Sequence, residues 1–179
     1  MPDRHDALAA ASEIILGVEN AALETGSVDT VATVGMCEVF PGAINSIPSK
    51  VTLGIDVRDT DRSRRDRVLV EIQKKSAEVS RRRQMSVERQ LLNSDDPAVC
   101  DPRLIETISL ACREAGLPFK NMVSRAYHDS LFMSRLSPVG MIFIPCRNGY
   151  SHRPDEFASP EAISDSVRIL AGTLAECAR

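Results

Sequence analysis

The chain has 179 residues, 43% of them hydrophobic, and a formal net charge of −3 with acids and bases interspersed. That is enough apolar material for a core in one domain or two small ones, and it lacks the basic excess of a nucleic-acid surface. The five cysteines, an odd number without CxxC spacing, argue against a disulfide framework or a thiolate zinc ribbon and make a reducing compartment such as the cytoplasm the expectation. No apolar run reaches membrane-span length, and the first residues do not read as a signal peptide.

In chain order, Ala7, Leu8, Ala11, Ile14, Ile15, Val18 and Ala22 recur at helical spacing, and Gly26 ends the segment. A strand is predicted over 31–40, followed by a loop punctuated by Pro41, Gly42 and Pro48. Residues 50–59 form the clearest strand. Val51, Leu53, Ile55 and Val57 point to one face, and Thr52, Gly54, Asp56 and Arg58 to the other. A helix starts at Asp61 and ends near Arg81-Arg82-Arg83, which reads as a solvated helix C-terminus favoured by the helix dipole. A third strand is predicted over 85–92. The order α-β-β-α-β is that of a split βαβ sandwich without its opening strand.

After Pro97 the pattern changes. Helices are predicted over 101–115 and 129–136, and short strands over 121–125 and 140–145. A loop spans 146–158, and a final helix opens at Ser159-Pro160-Glu161. Met141-Ile142-Phe143-Ile144 shows no alternation and reads as a strand buried on both faces.

Two of the three histidines lie beside these strand ends. His152 sits in a Gly-Tyr-Ser-His turn after a predicted buried strand, where α/β folds place ligand-binding groups. It reads either as a metal ligand or base, or as a histidine hydrogen-bonded within its turn. His128 follows Tyr127, and the adjacent Asp129 reads as a helix N-cap. Arg58 projects from the open face of its strand with Asp56 on the same side. It reads as half of an exposed ion pair or as a fork for a substrate carboxylate. Asn45, in the preceding loop, can offer a donor and an acceptor to the same ligand. His5 reads as a surface residue.

Four segments, in this order, resemble the M20-type metal-dependent amidohydrolases. They are Pro41–Pro48, Asp56-Val57-Arg58-Asp59, Ala126-Tyr127-His128-Asp129-Ser130 and Gly149–Glu156. The resemblance covers essentially the whole chain and lies in the branch acting on allantoate, N-carbamoyl-L-amino acids and ureidoglycolate. The Ala126–Met133 segment is most similar to the ureidoglycolate amidohydrolases. The resemblance implies an α/β fold class in two parts. Residues 1–94 would be a ferredoxin-like lid and dimerisation domain lacking its first strand. Residues 95–179 would be the C-terminal part of a catalytic domain.

It further implies His152 as a metal ligand, with Asn45, Arg58, Tyr127 and His128 as substrate contacts. Two divalent ions, manganese or zinc, a ureide substrate and a homodimer joined through the lid also follow from the resemblance. Tyr127 stands where many relatives have glycine. The family's remaining metal ligands, its general-base glutamate and a lid histidine precede the segment that matches here. The chain is therefore expected to be a C-terminal portion, inactive alone. The alternative from another class is a non-catalytic dimerisation or ligand-binding module derived from the fold.

Overall fold

The computed structural model describes Met1 and residues 3–179. The chain divides into two compact units, Met1–Pro97 and Ala98–Arg179.

In the first unit, α1 (Ala7–Leu23) begins at Asp6, whose side chain accepts hydrogen bonds from the Leu8 and Ala9 N–H groups. Its buried face carries Ala10, Ile14, Val18 and Ala21. Leu8, expected on that face, is instead exposed. Gly17, an unfavourable residue inside a helix, is explained by close packing. A Cβ there would meet Lys75 Cγ of the neighbouring helix at 2.5 Å.

Strand β1 (Val31–Phe40) pairs antiparallel with β2 (Lys50–Arg58). An irregularity between Val34 and Met36 shifts the register. Ala32 and Val34 therefore face the helices with Leu53 and Val57, Ile55 on the same side is left exposed, and Met36 joins Thr33 on the open face opposite Gly54. Helix α2 (Arg62–Arg83) contributes Val68, Ile72 and Val79 to the core, and Ala32, Val34, Leu53, Val57 and Met85 pack against it.

The arginine run at the end of α2 is not simply solvated. Arg82 and Arg83 both form ion pairs with Glu13 on α1, and Arg83 Nε donates to Glu13 Oε1 at 2.7 Å. Two guanidinium groups on one carboxylate tie the end of α2 to the first turns of α1. His5 is exposed, and its Nδ1 lies 3.2 Å from the Arg83 carbonyl oxygen.

The predicted strand at 85–92 does not form. Met85 N–H bonds back to the Ser80 carbonyl, while Arg65 holds the Asp95 carbonyl and Arg62 Nη1 donates to Asp96 at 3.1 Å. The segment thus runs back along α2, covering the roughly 22 Å of helix between Ser80 and Arg65. A helix of its ten or so residues would reach only about 15 Å, so the chain is extended. Among the described residues the sheet contains only β1 and β2.

In the second unit, α3 (Pro102–Glu114) and α5 (Pro160–Cys177) pack through Ser109, Cys112, Ile169 and Thr173. Both start as the sequence predicts. Asp101 and Ser159 cap them, and a proline follows each cap. The short α4 (Ser130–Met133) lies between them in sequence. The predicted strands at 121–125 and 140–145 are absent as ladder strands. Residues 139–140 instead lie on α3. Asp101 N–H bonds the Val139 carbonyl at 2.8 Å, and a Cβ on Gly140 would sit 3.2 Å from Leu104 and Ile108. Met141, Ile142 and Ile144 are half-buried and Phe143 is exposed, so this segment is not covered on both faces.

The junction of β2 and α2 holds a fully buried carboxylate. Asp59 accepts from Arg64 Nε at 2.7 Å and Nη2 at 2.6 Å, from Thr30 Oγ1 at 2.5 Å and from Asp61 N–H at 2.8 Å. Burial alone pushes its pKa up. The bonds from Arg64, Thr30 and Asp61 and the charge of Arg64 outweigh it and hold the carboxyl at about 2, against 3.8 normally.

Because the folded value is depressed, this contribution is complete above the unfolded pKa. It fades as pH falls from about 4 toward about 2, and is worth roughly 2 kcal/mol. Asp59→Asn is expected to destabilise the chain by at least that amount at pH 7 and to flatten the acid limb of its stability curve. Urea melts from pH 2 to pH 7 measure this, and an unchanged acid limb would rule out Asp59 as its source.

Candidate functional site

Arg58 is the last residue of β2, paired with Val31. Alternation sends Asp56 and Arg58 to the open face and Val57 and Asp59 to the helix-covered face. Asp59, clamped from four sides, therefore fixes the backbone that aims Arg58 outward. Arg58 Nε lies 2.5 Å from Asp56 Oδ2. The Nε atom is enclosed and nonetheless makes no hydrogen bond, because its N–H is not directed at that oxygen. The pair is a charge contact that leaves a guanidinium donor unsatisfied.

Asn45 occupies the turn between the strands. Ser46 N–H bonds the Ala43 carbonyl at 3.2 Å, Ser49 N–H bonds the Phe40 carbonyl at 3.0 Å, and Ala7 N–H bonds the Pro48 carbonyl at 3.0 Å. The loop is thus fastened to the start of α1. An open hollow of about 430 Å³ lies there between Ile44, Ser46 and Pro48 and the helix residues Leu8 and Ser12. Asn45 itself is exposed. The structure does not bring Asn45 and Arg58 together. The nine residues of β2, rising about 3.3 Å each, separate the loop from Arg58 by roughly 26 Å.

In the second unit, residues 124–133 fold into a turn followed by α4. Arg125 takes a left-handed φ of 57°. Ser124 Oγ lies 2.6 Å from His128 Nε2 and accepts from Ala126 N–H at 3.2 Å. The half-buried His128 ring is tilted against Phe143, with centroids 5.8 Å apart. Tyr127 meets Phe132 edge-on at 5.9 Å. Asp129 stands at the N-cap position, but its side chain makes no capping bond; its carbonyl accepts from Phe132 and Met133 instead.

The loop carrying His152 closes on itself. Arg147 N–H bonds the Phe157 carbonyl at 2.8 Å, and the Arg147 guanidinium lies 4.7 Å from the Phe157 ring. Arg153 stacks 3.9 Å over Tyr150 and forks onto Asp155 at 2.8 and 3.0 Å. His152 adopts φ 57°, a conformation uncommon for a side chain with a Cβ, and its N–H donates to Glu156 Oε2 at 3.0 Å. The imidazole is exposed.

Among the described residues no group of three or more His, Cys, Asp or Glu could hold a metal ion. A catalytic zinc takes three protein ligands. The donors of this chain therefore do not make a metal centre by themselves; His152 offers one imidazole.

Sequence reasoning missed Thr30, Asp59, Arg64, Ser124 and Glu156. A signal existed for Asp59. Continued alternation puts it on the covered face, where a carboxylate requires a partner, and Arg64 lies one helical turn beyond. None existed for Ser124, whose contact depends on the unexpected left-handed turn at Arg125.

Similarity to known proteins runs the length of the chain. The ureidoglycolate hydrolase of Oryza sativa subsp. japonica is 50% identical over 176 residues, covering 98% of this chain and 36% of that protein. An N-carbamoyl-L-amino-acid amidohydrolase from Pseudomonas sp. (strain NS671) is 34% identical over 167 residues, covering 93% of this chain and 40% of that one. The crystal structure of AtUAH in complex with glyoxylate matches with a TM-score of 0.93 at 50% identity, covering 98% of this chain and 42% of that chain. The chain thus spans well under half the length of the curated relatives it matches. Members of the matching family generally use divalent metal ions. With the profile of Peptidase family M20/M25/M40 matching residues 6–176, the chain belongs to that family.

Proposed function

We propose that this chain carries the carboxylate-holding part of a hydrolase that cleaves a ureido or amide C–N bond in a small carboxylate, ureidoglycolate first. The observation that supports it best is Arg58, whose enclosed Nε lacks a hydrogen bond at the open end of β2. A substrate carboxylate that displaced Asp56 from the Arg58 guanidinium would satisfy that donor through a charge-assisted pair. The choice of ureidoglycolate is supported by 50% identity to the ureidoglycolate hydrolase of Oryza sativa subsp. japonica. Allantoate and N-carbamoyl-L-amino acids, which also carry a carboxylate, are the competing substrates.

In this reading Tyr127 and His128 contact the substrate. His152 contributes one ligand to a centre of two manganese or zinc ions whose other ligands lie outside these residues. Such a centre supplies an activated water for attack on the carbonyl. The residues of this chain bind and orient the substrate, and the 179 residues alone do not hydrolyse it.

The distance between Asn45 and Arg58 constrains the assembly. A ureide of a few heavy atoms does not reach both in one protomer. Among the described residues each strand of the two-stranded sheet has one unpaired edge, and that of β1 lies on the side away from β2. Antiparallel pairing of β1 with its copy in a homodimer would set the Asn45 loop of one protomer beside the Arg58 end of its partner. Asn45 and Arg58 would then serve one substrate from two subunits.

In the active enzyme containing this chain, Arg58→Ala is expected to raise KM for ureidoglycolate about 10- to 100-fold with a smaller change in kcat. An unchanged KM would reject the carboxylate role. Asn45→Ala and Arg58→Ala enzymes, mixed, reassembled and assayed at a ureidoglycolate concentration far below the raised KM of either variant, should recover about a quarter of wild-type activity, because half the dimers are mixed and each of those has one intact site. No recovery would place both residues in one protomer's site. His152→Ala should lower bound manganese or zinc, measured by elemental analysis; unchanged metal content would remove His152 as a ligand.

A further inference from the structure

We infer that Ser124 is a positioning residue that sets the tautomer of His128, with the proton of the neutral ring on Nδ1, so that His128 presents a hydrogen-bond donor and contacts an oxygen of the substrate. The inference rests on the proposed substrate role of His128 and deepens it.

The argument starts from the hydroxyl. Ser124 Oγ accepts from Ala126 N–H at 3.2 Å, which occupies one of its lone pairs. Among the described residues the acceptor within reach of its own proton is His128 Nε2, 2.6 Å away. An imidazole nitrogen that accepts carries no proton, so in the neutral ring Nδ1 carries it.

Backbone and packing hold this arrangement. Arg125 at φ 57° folds Ser124 back toward His128. The Leu131 N–H bond to the His128 carbonyl, at 2.9 Å, anchors the residue at the start of α4. Phe143, with ring centroids 5.8 Å apart and planes at 57°, backs the ring.

The chemical consequence is selective. A ring protonated at Nδ1 and bonded at Nε2 can donate to a carboxylate or carbonyl oxygen. It has no lone pair left for an amino or ureido N–H. A substrate meeting His128 through nitrogen would require the hydroxyl to release Nε2 and the ring to change tautomer. Ser124 thereby decides which part of a ureide His128 recognises without touching it.

The test is long-range 1H–15N NMR of the 15N-labelled 179-residue chain above the pH at which its histidines titrate. Only three histidines are present, and His5→Gln and His152→Gln variants assign them. His128 is expected to show the single Nδ1–H pattern. Ser124→Ala should lose that pattern for a mixture of tautomers, with its thermal melt unchanged. Ser124→Thr, which keeps the hydroxyl, should restore it. A wild-type ring protonated at Nε2, or an unchanged pattern in Ser124→Ala, would overturn the inference. Failure of the substrate role would show separately, as an unchanged KM for His128→Asn in the active enzyme.

Discussion

Asp59 is a carboxylate with no exposed side-chain surface, and much of the first unit is organised around satisfying it. An isolated ion in that position would be strongly unfavourable, so its partners are constrained. Arg64 fixes the first turn of α2, and Asp61 N–H fixes the helix entry. Thr30 fixes the approach to β1, and Thr25 Oγ1, 2.9 Å from Thr30 Oγ1, brings in the end of α1. Three residues therefore converge on one side chain, with Thr25 bonded behind one of them. The consequence for function is directional. Asp59 points inward, so the preceding residue, Arg58, must point outward at a defined place on the open face.

The second unit reaches its geometry differently. Among the described residues it has no sheet, and its three candidate residues, Tyr127, His128 and His152, stand on turns. Left-handed backbone at Arg125 and His152 places them, and short-range contacts secure them. Ser124 and Phe143 hold His128. Glu156 holds the His152 N–H, while stacked arginines at 147 and 153 close the loop. Such turns depend on particular partners. Loss of one hydrogen bond re-aims an imidazole without unfolding the helices beneath.

How much of this was legible in the sequence follows from the range of each interaction. Periodicity revealed α1, α2 and β2, and start and stop signals such as Ser159-Pro160-Glu161 revealed α3 and α5, because both kinds of signal are local. It located Arg58 on the open face because strand alternation admits only two choices. It failed at 85–92, 121–125 and 140–145, where apolar content suggested strands. A strand needs a neighbour, and periodicity says nothing about whether one exists. It placed the arginine run at the C-terminus of α2 but missed its ion pairs, because the carboxylate that captures Arg82 and Arg83 is Glu13, distant in sequence. Asn45 and Arg58 were grouped by shared chemistry, and only the length of β2 separates them.

The central claim is that Arg58 exists to hold a carboxylate. The most direct measurement is a cycle crossing wild type and Arg58→Ala in the active enzyme with ureidoglycolate and its uncharged carboxamide analogue, reading kcat/KM for all four pairs. The account predicts strong coupling. Removing the substrate's charge should cost the wild type about 10- to 100-fold and the variant almost nothing. Equal losses in both enzymes would show that the carboxylate binds elsewhere and would contradict the claim.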